Sequence, residues 1–165
     1  MAAKIGVVAF PFGAPGAILA NRRVGRVATK KSREFKAVVF TNLNVWVDSD
    51  IEVQYARGRV SHPPSTFRIA WGAAQWARRQ GFGELWVVAA KPLIPRCVRD
   101  IKYALRQLGA QHIELRVCPE IEEFPEEEWF CPDSTQIQTC FRKDWERRER
   151  ILRHMPMWIY KLVAS

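Results

Sequence analysis

Polar and charged side chains follow two predicted strands of this 165-residue chain, where they could bind an anion. Thr41 and Asn42 come directly after a buried strand, and Lys91 and Arg96 follow a later one. Hydroxyl and amide groups can hold a sugar or phosphate by neutral hydrogen bonds, and cations can pair with its charge. The alternatives are an Asn-rich turn that satisfies its own backbone and a surface arginine beside an acidic neighbour.

Two more candidate positions lie at predicted helix N-termini. The loop from Gly13 to Gly16 precedes a basic helix, and Thr66 begins another helix. A helix N-terminus offers free N–H groups and a partial positive charge, and glycine lets an anion approach the backbone. The loop has neither the GxGxxG nor the Walker A pattern, so a tight turn is the alternative. Helix capping is the alternative role for Thr66.

No residue pattern identifies a catalytic group or a metal site. His62, in a proline-rich loop, is a candidate general base, but a solvated loop histidine is the alternative because no carboxylate lies at a telling spacing. The cysteines show no CxxC spacing, so we expect no metal site. They are Cys97, Cys118, Cys131 and Cys140. Whether the chain is an enzyme, and which cofactor it takes, stays open.

The location of the chain is predicted from its cysteines and its hydropathy. The N-terminal apolar run is short and has no convincing cleavage site, so we interpret it as a strand and not as a signal peptide. No apolar run approaches the roughly 20 residues of a membrane span. We therefore expect a cytoplasmic protein with reduced thiols.

The order of predicted elements is that of an α/β fold. Apolar runs predict buried strands, and an alternating run predicts a half-exposed one. Helices with one apolar stripe separate most of them. The strands are predicted at 4–10, 37–41, 51–56, 84–90 and 112–117, and the helices at 17–35, 65–79 and 94–108. Strands joined through helices are normally parallel, which predicts a three-layer Rossmann-like domain with a mainly parallel sheet and a ligand beyond its carboxyl edge.

A change in composition divides the chain near residue 119. Residues 1–119 are predicted to form the α/β domain, and residues 120–165 a C-terminal helical extension that packs on it. The extension begins with an acidic segment at 120–128 and continues as a basic helix that breaks near Pro156.

The net charge of +9 predicts anionic partners. One alternative to a small ligand is nucleic acid, bound by the arginine-rich helices around Arg22, Arg99 and Arg147. Another is a homo-oligomer in which the acidic segment of one subunit meets the basic helix of a second. We expect a small anionic ligand first, because the candidate groups follow strands of one predicted sheet.

The stretch from Ser65 to Val117 combines several motifs. Ser65 and Thr66 begin a helix containing Ile-Ala-Trp-Gly-Ala-Ala, followed by Glu-Leu-Trp-Val-Val-Ala-Ala-Lys-Pro-Leu-Ile-Pro-Arg, which ends at Arg96. This stretch resembles the second half of the YdcF/SanA/ElyC-like family. The resemblance implies a Rossmann-type domain with a nucleotide-like ligand, and Thr66 and Arg96 match the family's threonine and arginine.

The chain departs from the family pattern after the strand at 84–90. Ala89, Ala90 and Leu93 stand where the family has Thr-Ser and a histidine. The sequence therefore predicts binding of a nucleotide-like or phosphosugar-like anion and no particular reaction. The predicted binding residues are Gly13, Gly16, Thr41, Asn42, Thr66, Lys91 and Arg96.

Overall fold

The computed structural model describes residues 3–58 and 64–164, and it shows a parallel sheet of five strands within them. The strands are β1 (Ile5–Ala9), β2 (Val39–Thr41), β3 (Val53–Tyr55), β4 (Glu84–Val88) and β5 (Glu114–Val117). Their order is β3-β2-β1-β4-β5, and every neighbouring pair is parallel. The predicted three-layer α/β fold is confirmed.

Five α-helices accompany the sheet in the described part of the chain. They are α1 (Leu19–Phe35), α2 (Thr66–Gln80), α3 (Ile94–Gln107), α4 (Arg142–His154) and α5 (Met157–Val163). The β1–α1–β2 connection crosses the sheet in one direction, whereas those through α2 and α3 cross it in the other. Because such crossovers are right-handed, α1 lies on one face and α2 and α3 lie on the opposite face.

The ends of α2 follow from its sequence. Ser65 is the N-cap, and its Oγ accepts a hydrogen bond of 3.2 Å from the backbone N–H of Arg68. Gly81 ends the helix in the left-handed conformation, with φ of +67°. Small buried side chains let α2 lie close to the sheet; they are Ala70, Ala73, Ala74 and Ala77.

The connection between β2 and β3 contains no helix, and its main chain lies directly against α1. A Cβ atom on Gly25 of α1 would lie 2.0 Å from the carbonyl oxygen of Trp46. A glycine inside a helix costs about 1 kcal/mol relative to alanine. Here it allows the connection to approach the helix backbone.

The acidic segment pairs with basic residues of the same chain. The pairs are Glu120 with Lys31, Glu122 with Lys91, Glu127 with Arg142, and Glu128 with Arg23. The Glu120–Lys31 pair is the most buried of the four, with 2.9 Å between the carboxylate and ammonium groups. Four of the six glutamates in the segment that a homo-oligomer was predicted to use thus have partners within the subunit.

The Glu120–Lys31 pair predicts a pH-dependent stability. Burial alone would raise the pKa of Glu120, but Lys31 outweighs it and holds the pKa below its usual value. A carboxyl whose pKa is lowered on folding stabilises the protein above its unfolded pKa of about 4.3, and this stabilisation is lost as the pH falls through the folded value. We therefore expect Glu120→Gln to lower the free energy of unfolding by about 1 kcal/mol at pH 7.

Urea denaturation across a pH series checks this prediction. The loss caused by Glu120→Gln should shrink as the pH falls below the usual glutamate pKa. Glu123→Gln is the matched control, since Glu123 is exposed and forms no ion pair with a described residue. Equal free energies of unfolding for the two variants at every pH would contradict the prediction.

Candidate functional site

A cavity of about 310 Å³ lies beyond the carboxyl ends of β1, β2 and β4. The loops after these strands form one part of its wall, and the first turn of α2 forms another. The C-terminal extension closes the remaining side through residues of α4, α5 and the segment before α4. Ligands of open parallel sheets bind at this edge.

Four of the seven predicted binding residues line this cavity: Gly13, Asn42, Thr66 and Arg96. They come from four separate connections, which the parallel sheet brings to one edge. His62, the candidate general base, lies outside the described residues.

The other three predicted binding residues do not line the cavity, and each has a structural partner. Thr41 Oγ1 donates a hydrogen bond of 2.8 Å to the carbonyl of Ala9, which ties β2 to β1. Lys91 pairs with Glu122 at 2.6 Å. Gly16 lies against the indole of Trp46, where a Cβ atom would be 2.7 Å from the ring. We therefore leave Gly16, Thr41 and Lys91 out of the site.

The N-terminus of α1, where the sequence predicts an anion, is covered by residues 131–139 of the extension. The backbone N–H of Ala20 donates to Cys131 Sγ at 3.4 Å, and that of Thr135 donates to the carbonyl of Ala14 at 2.8 Å. A Cβ atom on Gly13 would lie 2.5 Å from Ser134 Oγ. The chain itself fills the space that a phosphate on this loop would need.

Asn21 fixes the loop after β1 in this position. Its Oδ1 accepts a hydrogen bond of 2.8 Å from the backbone N–H of Phe12, and its Nδ2 donates to the carbonyls of Gly13 and Pro15, both at 3.1 Å. The ring of Phe12 then packs edge-on against Trp145 of α4, with centroids 4.7 Å apart. Asn21 is not among the residues predicted from the sequence, although it is a polar residue within the predicted first helix.

The N-terminus of α2 is open to the cavity. Within the described residues, nothing accepts a hydrogen bond from the backbone N–H of Thr66. Asn42 is only 2% exposed, and its Oδ1 accepts from the N–H of Asn44 at 3.0 Å. Its Nδ2 has no partner in the described structure. A buried amide donor without a partner is costly, so Asn42 favours a ligand that supplies an acceptor.

Two arginines give the cavity its charge. The side chain of Arg96 is 9% exposed, and its guanidinium lies 5.0 Å above the centre of the Trp145 ring. Its Nε is 3.2 Å from Glu149 Oε1, an ion pair that lacks hydrogen-bond geometry. Burial raises the pKa of Glu149, and the charge of Arg96 opposes that rise.

Arg148 is the second arginine, and it comes from the extension. It forms no ion pair or side-chain hydrogen bond with any residue that the structure describes. Burial, and then repulsion by Arg96, lower the pKa of Arg148. No Asp or Glu is among the described residues that line the cavity. Arg148 could not be predicted from the sequence, because nothing local distinguishes it from the other arginines of the predicted basic helix.

A buried hydrogen-bond network holds α5 against α3 and so fixes the far wall. Tyr160 OH donates to Asp100 Oδ2 at 2.5 Å, and Arg99 donates to Oδ1 of the same carboxylate at 3.0 and 3.1 Å. Tyr160 lines the cavity, whereas Asp100 is fully buried behind it. Arg99, which the sequence offered as part of a nucleic-acid surface, thus forms hydrogen bonds within this buried network.

The described residues contain no group of three or more His, Cys, Asp or Glu side chains that could hold a metal ion. Nor does any helix among them combine the length and apolar character that a membrane span requires. No protein-family model matches the sequence, and no curated protein does so either. The site is therefore interpreted from its own geometry.

The covering of the first loop predicts the effect of Gly13→Ala. Gly13 has φ of +87°, and an added Cβ would also meet Ser134 and Thr139. Gly109→Ala is the matched control, since Gly109 has φ of +65° with nothing within 4 Å of the added atom. The left-handed conformation alone costs about 1–2 kcal/mol. The contacts should add about 1–3 kcal/mol at Gly13.

Urea denaturation of the two glycine variants measures this difference directly. Gly13→Ala should lower the free energy of unfolding more than Gly109→Ala does. An equal loss of unfolding free energy in the two variants would show that the extension does not contact Gly13 in solution.

Proposed function

We propose that this chain binds a small anionic ligand of the nucleotide or phosphosugar class in the cavity beyond β1, β2 and β4. The observation that carries the proposal is the convergence of Arg96 and Arg148 on a wall in which no described carboxylate is found. Because Arg96 and Arg148 repel each other, an anion bound between them would be stabilised by both charges.

The remaining donors fit the same anion. A phosphate at the N-terminus of α2 would accept from the backbone N–H of Thr66 and meet the positive end of the helix. Asn42 Nδ2 supplies a neutral donor beside it. The amides of Gln136 and Gln138 also line the wall and suit hydroxyl groups of a sugar.

The size of the cavity favours a compact ligand. Ligand pockets commonly span about 300–1,000 Å³, and this one lies at the lower end of that range. The closed N-terminus of α1 also removes the site that a dinucleotide pyrophosphate uses in related architectures. A mononucleotide or phosphosugar fits both limits.

The family resemblance supports the same ligand class. Its two matching polar residues, Thr66 and Arg96, both line the cavity. Of the three positions at which the chain departs from the family pattern, Ala89 and Ala90 are buried and do not line the cavity, whereas Leu93 lines it. We propose binding and assign no reaction.

Isothermal titration calorimetry with inorganic phosphate, ribose 5-phosphate, AMP and uncharged adenosine tests this proposal. At least one phosphorylated compound should bind, and adenosine should bind more weakly than AMP. Arg148→Gln should weaken the binding at least about tenfold, because a charged hydrogen bond contributes about 1.5–3 kcal/mol.

Arg147→Gln is the matched control, because Arg147 is adjacent and exposed, as Arg148 is, but is absent from the described cavity wall. It should leave the affinity within about twofold, as screened surface charges act weakly. Failure of all four compounds to bind, or equal losses for the two variants, would contradict the proposal.

A further inference from the structure

A second concave surface lies between the edge strand β3 and helix α2. This groove has a volume of about 800 Å³ and shares no lining residue with the cavity described above. Two aromatic and four cationic side chains define it: Tyr55, Arg57, Arg68, Trp71, Arg79 and Lys161. We call it the aromatic-basic groove.

The cations of the aromatic-basic groove lack counter-charges. Arg57, Arg68 and Arg79 form no side-chain hydrogen bond or ion pair with any described residue, and no described Asp or Glu lines the groove. Lys161 lies 5.6 Å above the ring of Tyr103. Arg33 on α1, by contrast, pairs with both Asp48 and Asp50. Four cations without a described carboxylate partner thus line one groove.

Tyr55 and Trp71 are aromatic residues that line the groove together with these cations. Tyr55 is 47% exposed at the end of β3, and Trp71 is half-buried beside Phe67, with ring centroids 6.0 Å apart. Arg68, Trp71 and Arg79 share one face of α2, since they are spaced three and eight residues apart. The two rings and the cations therefore line the same groove.

We propose that the aromatic-basic groove binds single-stranded nucleic acid. Its phosphates would pair with Arg57, Arg68 and Arg79, and its bases would stack on Tyr55 and Trp71. A duplex keeps its bases stacked inside and would use only the cations. An acidic peptide would likewise leave the ring faces without a matching partner. Charge and aromatic surface together favour the single strand.

Fluorescence anisotropy with labelled oligo(dT) and oligo(U) of about 12 nucleotides, a length in the range that such grooves bind, tests the proposal. Both should bind at low salt, and the affinity should fall as salt rises. Arg68→Gln/Arg79→Gln should weaken binding at least tenfold and reduce the slope of log K against log salt by about 1.4, because each phosphate contact contributes about 0.7. Tyr55→Leu should weaken binding about fivefold or more.

Lys102→Gln/Arg106→Gln is the control for the charge change, because both side chains are exposed on α3, outside the groove. Its effect should be smaller than that of the groove pair, and circular dichroism should show that every variant is folded. The proposal is overturned by absence of binding at low salt, by equal losses in the two double variants, or by an unchanged affinity for Tyr55→Leu. Equal affinity for a duplex, or equal competition by polyglutamate, would also overturn it.

Discussion

The closure of the α1 N-terminus by the chain's own C-terminal extension is the constraint on which the site depends. Cys131 accepts from the N–H of Ala20, and Ser134 lies where a side chain on Gly13 would be. The first strand-to-helix turn, the usual phosphate position in dinucleotide-binding domains, is thereby filled. The N-terminus of α2, at the same edge of the sheet, lines the cavity. The extension that covers the N-terminus of α1 also contributes Arg148 to this cavity.

Apolar burial holds the extension in place more than its ion pairs do. Glu127 and Glu128 are about half exposed or more in their pairs, and such pairs contribute little. Trp129 and Tyr160 are completely buried, and a large apolar side chain contributes about 1.5–3 kcal/mol on burial. Because Tyr160 also lines the cavity, that part of the cavity wall depends on the packing of the extension.

The fold could be predicted from local patterns, whereas much of the site could not. Apolar runs predict the strands, and Ser65 and Gly81 predict the ends of α2, each to within a few residues. Right-handed connections between the strands then indicate the strand order and the edge of the sheet at which the site lies. The covering of Gly13 depends on residues about 120 positions away, and the packing of Trp46 on Gly16 depends on an irregular connection. Arg148 resembles every other arginine of α4 until the helix is docked. Long-range packing therefore decides which polar residues line the cavity.

An NMR titration of the ¹⁵N-labelled chain with inorganic phosphate tests most directly where the anion binds. The backbone amide of Thr66 and the side-chain amide of Asn42 should shift together and saturate at the same phosphate concentration. The amides of Ala14 and Ala20, which donate hydrogen bonds to the extension and do not line the cavity, should change little. Shifts centred on Ala14 and Ala20 with none at Thr66 would contradict an anion site at α2.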